Sequence, residues 1–312
     1  MGKKKIAALM LAMGMSLSAV SVGYAAEQEE TELMYANCVP EASYDEAWDG
    51  DYIPVLMYHH FAIRNMGRGN GVVTTVRELE DHLRQFQAAG YEVISLEKLD
   101  RILAQTEKDT DAEGVGLDLN KKYLCITMDD GYYSNYDLGY PLFRQTKTPV
   151  SIFAVTDFVT DQIGIQKFTW DQARKMEKSG LVKIYSHTAD HQPVTAGEEE
   201  AFLESVQRSE EVLEENLTEE RVKAISYPNG RYTEESQNLL EEDGYVLQFT
   251  VENGVITRET PRTALPRIMV SSGMTGDDVM RKIELAAERA FAAEREGAAN
   301  EEEDHSRELE NE

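Results

Sequence analysis

Residues 149–186 read PVSIFAVTDFVTDQIGIQKFTWDQARKMEKSGLVKIYS. An apolar run of strand length opens the stretch. A polar connection follows, then TWDQARKMEKSG with helical spacing and a closing glycine, and a second apolar run, LVKIYS, ends it. Two strands joined through a helix lie parallel, because the crossover returns the chain to the end of the sheet where it began. The same unit recurs on both sides. C-terminally, EEEAFLESVQRSEEVLEENL precedes VKAISYP, TEESQNLLEEDG precedes YVLQFTV, and LPRIMV is the last strand-like run. N-terminally, YIPVLMY leads to TTVRELEDHLRQFQAAG, where Thr75 and Glu78 have capping-box spacing and Gly90 is a stop signal. YEVISL, the helix LEKLDRILAQTE and the strand KKYLCITM complete the series. Seven or eight strands alternating with helices predict an α/β fold in a single domain over residues 52–296, and their number favours a barrel over the alternative of an open sheet.

The ends of the chain have a different character. MGKKK is a basic n-region, IAALMLAMGMSLSAVSV an apolar h-region, and GYAAE a small-residue cleavage site. Residues 1–26 therefore read as a signal peptide, with an uncleaved membrane anchor as the alternative, and residues 27–51 as a linker. The expected location is secreted or cell-surface. The acidic run GAANEEEDHSRELENE, residues 297–312, reads as a disordered tail. A formal net charge of −27 excludes nucleic acid as a partner, since phosphate binding needs the opposite sign. Of the two cysteines, Cys125 lies within an apolar run and Cys38 in the linker, and both are read as free thiols, with a disulfide between them as the alternative.

Candidate chemistry gathers where strands end. ITMDD, residues 126–130, places Asp129 and Asp130 side by side at the close of a buried run, ahead of Gly131. Neighbouring strand residues face opposite ways, so both carboxylates serve one site only if the chain turns there. Two N-cap aspartates for a helix starting near Tyr132 are the plainer alternative. IYSHTADH adds His187 and His191 at another strand end, with Pro193 arguing against a helix through both. Two histidines and an aspartate from neighbouring strands make a donor set for a divalent metal with open positions, as in a metal hydrolase. ISYPNGRY and LMYHHF supply a tight turn and the pair His59 and His60 at two further strand ends.

TMDDG, SHTADH and YPNG resemble, in order, the first three motifs of the polysaccharide deacetylases, the NodB-homology domain of carbohydrate esterase family 4. The fit runs from about Ile53 to Val270. The resemblance implies a distorted (β/α) barrel of about seven parallel strands and one divalent metal ion, usually zinc. It implies Asp130, His187 and His191 as metal ligands and Asp129 as the general base. It also implies that the turn at Asn229 presents a backbone N–H to the oxyanion. The chain lacks the Leu-His motif whose histidine protonates the leaving amine in many members. Its YH pair is similar to the permuted subgroup acting on poly-N-acetylglucosamine, which points to His59 as the acid, with His60 as second choice. Ser226 stands where many members carry an arginine that orients the base. Arg267 is the candidate substitute, and with Asn229 and Tyr227 it is counted among the oxyanion and substrate residues. The implied activity is N-deacetylation of an exported polysaccharide of N-acetylglucosamine type, with membrane-surface or cell-wall association. The alternatives are a glycan-binding member without turnover and an O-deacetylase of xylan-like chains.

Overall fold

The computed structural model describes residues 52–64, 71–106, 121–160 and 164–310, which lie in one compact unit, Asp45–Glu312. The expected signal peptide, the linker and Cys38 fall outside the described residues. The strands are β1 Val55–Tyr58, β2 His60–Ala62, β3 Val73–Thr75, β4 Tyr91–Ile94, β5 Lys122–Asp129, β6 Val150–Ala154, β7 Val182–Ser186, β8 Ala224–Ser226, β9 Leu247–Phe249 and β10 Ile268–Met269. The helices are α1 Val76–Ala88, α2 Leu96–Thr106, α3 Tyr140–Thr146, α4 Trp170–Glu177, α5 Glu199–Asn216, α6 Glu234–Glu242 and α7 Gly276–Glu310.

Seven strands run β10-β1-β5-β6-β7-β8-β9, every pairing parallel, and β4 pairs parallel with the N-terminal half of β5. The sheet curls until one segment touches both of its edges. Leu265 bridges Phe249 in β9, and three residues later Ile268 pairs with Leu56 in β1. The α/β single domain with a distorted barrel is as expected. A second sheet, β2 with β3, was not foreseen, because three-residue strands carry too little periodicity to register.

Strand alternation sends the side chains of β5 into two of the three core clusters. Leu124, Ile126 and Met128 of β5 pack outward in the cluster that holds Leu79 and Phe86 of α1, Phe143 of α3 and Val279 of α7. Tyr123 and Cys125, of opposite parity, join Phe153, Tyr185, Leu247 and Phe249 in an inner cluster that α2 closes with Leu96, Leu99 and Ile102. Cys125 is a buried free thiol, and burial pushes its pKa up. The parity that buries Tyr123 and Cys125 also directs Thr127 and Asp129 to the inner face.

Capping boxes at Thr75–Glu78, Thr169–Gln172 and Thr233–Ser236 start α1, α4 and α6. Of the run expected as a disordered tail, the described residues up to Glu310 continue α7. Alanine, glutamate and arginine in that run are strong helix formers, and the single Gly297 costs only about 1 kcal/mol, so helix propensity overrides the charge run.

Candidate active site

Asp129 is the last residue of β5 and is 2% exposed. Its neighbour would normally face the opposite way. Instead Asp130 has φ 72° and Gly131 φ 67°, so the chain turns through two successive left-handed residues. Among the described residues six non-glycines have positive φ, and four lie at these strand ends: Asp130, Thr188, His191 and Asn229. A non-glycine residue held there costs of order 1–3 kcal/mol, and such strain gathers where side chains must converge. The N-cap alternative for the paired aspartates is not realised, as the helical segment beginning nearby shows no side-chain cap.

His187 and His191 follow β7. The Nε2 atoms of both lie 3.6 Å from Asp130 Oδ1, and the two rings meet edge-on at 4.8 Å. One donor atom from each of Asp130, His187 and His191 falls within 4.8 Å of the others. His187 Nδ1 donates to the Ser226 carbonyl at 2.6 Å, which leaves the Nε2 lone pair free. A separation of 3.6 Å is too long for a hydrogen bond. It is close to the roughly 3.3 Å between ligand atoms spaced tetrahedrally around a zinc-sized ion. The donor set fits a divalent metal. Burial lowers the His187 pKa against the opposing pull of Asp129 and Asp130, so the ring is neutral near pH 7, as a metal ligand must be.

Asp129 is held from behind. Arg267, 0% exposed, donates Nη1–H to Oδ1 at 2.8 Å and Nη2–H to Oδ2 at 2.7 Å. Ser226 Oγ donates to the same Oδ2 at 3.2 Å and itself accepts from Arg267 Nη2 at 2.7 Å. The other guanidinium hydrogens go to Thr127 Oγ1 and the Thr250 carbonyl. Burial alone would raise the Asp129 pKa. The charge and hydrogen bonds of Arg267, with His187 and His59, outweigh it and hold the carboxyl well below the usual range. Arg267 therefore stands behind Asp129. Its assignment to the oxyanion and substrate side is corrected, because every guanidinium donor is spent internally. Tyr227 is corrected likewise: it is 0% exposed, its hydroxyl donates to Gln248, and its ring packs on Phe202 and Tyr232.

Asn229 sits at φ 55° in the turn Pro228–Gly230, exposed, directly after the strand whose Ser226 carbonyl holds His187. The turn's own hydrogen bonds, Gly230 N–H to Tyr227 O and Arg231 N–H to Pro228 O, do not use the Asn229 N–H. His59 follows β1 and is near enough to Asp129 to help lower its pKa. Its Nδ1 is buried with no hydrogen-bond partner among the described residues, while its carbonyl accepts from Asn135 Nδ2 at 2.7 Å. His60 turns elsewhere, with Nδ1 2.9 Å from Ser134 Oγ and its ring edge-on to Tyr132 at 5.2 Å. Burial and then Lys167 lower its pKa.

Two residues at the site escaped the reading of the sequence. Burial and the neighbouring Asp130 charge raise the Tyr132 pKa, and the Lys167 ammonium sits 3.6 Å above its ring. Thr127 Oγ1 donates to the Leu56 carbonyl and accepts from Arg267. Thr127 was legible from strand parity with Asp129. Tyr132 carried only the weaker signal of an aromatic just past the turn.

Comparison with known proteins agrees with this geometry. The family model described as polysaccharide deacetylase matches residues 116–247. YxkH of Bacillus subtilis (strain 168), named as a polysaccharide deacetylase, is 30% identical over 224 residues, covering 72% of this chain and 73% of that protein. A poly-beta-1,6-N-acetyl-D-glucosamine N-deacetylase of Staphylococcus epidermidis is 25% identical over 49% of this chain and 56% of its own length. Among solved structures, the Streptococcus pyogenes deacetylase PplD in complex with acetate has a TM-score of 0.64 at 20% identity, covering 74% of this chain and 98% of that one. IcaB from Ammonifex degensii has a TM-score of 0.62 at 23% identity, covering 75% and 97%. Both structures share the fold. With the strand-end aspartates and histidines in this arrangement, the chain belongs to the polysaccharide deacetylase family.

Proposed function

We propose that the protein is an exported, metal-dependent N-deacetylase acting on a polysaccharide of N-acetylglucosamine type at the cell surface. The observation that carries this reading is the ionised, Arg267-anchored Asp129 beside the converging donors of Asp130, His187 and His191. The substrate class draws support from the Staphylococcus epidermidis relative, which this chain matches over 56% of that protein's length. Export rests on the apolar N-terminal segment behind MGKKK, and it leaves the protein at the membrane surface or the cell wall.

A divalent ion held there, zinc by the nitrogen-rich donor set, would polarise the acyl carbonyl and make the attacking water more acidic. The protein's own groups do the rest. Asp129 takes the proton from that water, and the two-point grip of Arg267 keeps its carboxylate ionised and aimed. The Asn229 N–H donates to the oxyanion of the tetrahedral intermediate. His59 gives a proton to the departing nitrogen, because an amine anion is a very poor leaving group.

The test is acetate release from acetylated glucosamine polymers, chitin oligomers, peptidoglycan and acetylated xylan, with and without chelator. Release from the glucosamine substrates, lost with chelator, is the expected result. Release from xylan alone would replace the reading with O-deacetylation, and none from any substrate would point to a binding protein. Asp129→Asn should abolish turnover while leaving metal affinity largely intact, whereas Asp130→Ala should lose both.

A further inference from the structure

A second cleft adjoins the site, and nothing in the chemistry above uses it. Its volume is about 410 Å³, within the ~300–1,000 Å³ range of small-molecule sites. One wall is the chain running out of β2 at Ile63, and the other is the segment Tyr133–Leu138 with Ile165 and Gln166. His60 lines it and leads from it toward the catalytic residues, since its ring meets Tyr132, which lies close enough to the metal-ligand candidate Asp130 to feel its charge.

The cleft is built into the fold. Ser134 Oγ accepts from the Phe61 N–H at 2.9 Å and also bonds His60, pinning the helical segment to β2. A Cβ on Gly139 would stand 2.8 Å from the Phe61 ring, so only glycine allows the two walls to approach this closely. Residues Asn135–Gly139 form a π-helical turn, a local widening that recurs at functional sites.

Its lining is unusual for a free surface. Ile63 and Ile165, 78% and 58% exposed, are the two most exposed large hydrophobic side chains among the described residues, and both line this one cleft. Between them lies Tyr133, whose hydroxyl donates to Asp137 Oδ1 at 3.3 Å. Apolar faces with a few polar groups at the edge match a pyranose ring, which shows C–H bonds on its faces and hydroxyls around its rim.

We propose that this cleft is a glycan subsite that holds a sugar unit next to the one being deacetylated. Ile63, Ile165 and the Tyr133 ring take the apolar faces of the sugar, and Asp137 and Gln166 take its hydroxyls. The inference rests on the deacetylase reading, and it adds that the enzyme prefers chains to short oligosaccharides.

The experiment measures kcat and KM for acetylated, β-linked N-acetylglucosamine oligosaccharides from the disaccharide to the pentasaccharide. Wild-type protein is compared with Tyr133→Ala and with Ile165→Ser on the facing wall. The expected result is a KM that falls with chain length in the wild type. Each variant should raise KM for the pentasaccharide about tenfold, the order expected for losing an aromatic or apolar contact, with kcat within about twofold. An unchanged KM in a folded Ile165→Ser protein, or an equal rise for every length, overturns the subsite and leaves the deacetylase reading standing. Should the wild type release no acetate, calorimetric titration with the pentasaccharide decides. Weaker binding to Ile165→Ser supports the subsite alone, equal binding overturns it, and no binding overturns both readings.

Discussion

Asp129 and Arg267 are 138 positions apart in sequence, and their pairing joins strand ends on either side of β1. Both groups are buried, so neither is tolerable without the other. Arg267→Met should destabilise the fold by ~3–5 kcal/mol in urea unfolding, because it strands a charged carboxylate. The sign with pH follows from a folded-state pKa depressed below the unfolded value. Stability from Asp129 is present above the unfolded pKa, near 4, and is lost as acid carries the pH down through the folded pKa. Without the guanidinium, burial would raise that pKa. The acid limb of kcat/KM in Arg267→Met should therefore move to higher pH than in the wild type, and an unmoved limb would show that Arg267 does not tune the base. His59 is the other decisive residue. His59→Ala should cut amide hydrolysis roughly 100-fold or more, with metal content unchanged, and spare activated acetyl esters, whose leaving groups need no proton. A larger loss from His60→Ala would transfer the acid role, against the geometry that turns His60 toward Ser134.

At the scale of elements, the site is a set of strand ends that break their own geometry. Gly230 shows how tightly one is built. At φ 66°, a Cβ there would meet Val251 Cγ2 at 2.3 Å and the Val251 backbone nitrogen at 2.8 Å. Gly230→Ala should displace the turn that carries the Asn229 N–H, lowering kcat roughly 10²-fold or more, the scale of one lost oxyanion donor. Metal affinity should hold, because His187 is fixed through Ser226, which lies before the turn. Loss of metal together with rate would place Gly230 in the wider frame of the site. Much of this was legible in the sequence. Apolar runs of strand length, the Thr75–Glu78 cap, the carboxylate pair and the HxxxH spacing are local signals, and local structure obeyed them. Less legible was whatever barrel closure decides. Arg267 could be named as a candidate, but only the segment spanning β9 and β1 shows that it faces Asp129 rather than substrate. Tyr227 failed for a related reason, since proximity to a motif in sequence does not say which face of the strand a side chain takes.

The candidate metal ligands come from the ends of β5 and β7, with β6 between them, so an ion would tie together parts of the sheet that share no hydrogen bonds. Binding energy of that kind appears as stability of the whole domain. A ligand present at 100 times its Kd stabilises the folded state by ~2.7 kcal/mol, which for a domain of this size is a rise in Tm of roughly 5–10 °C. The net charge of −27 complicates the measurement, because any divalent cation will screen so acidic a chain and raise Tm somewhat on its own. Asp130→Ala separates the two effects. It removes one charge from many but one of only three protein donors, so it should keep the general response to magnesium and lose the specific response to zinc. Asp129→Asn should keep both. Scanning calorimetry of the three proteins, first stripped with chelator and then supplied with each ion, reads the difference directly. A zinc-dependent rise that survives in Asp130→Ala would mean that the ion binds elsewhere on the acidic surface, and the hydrolytic reading would lose its metal.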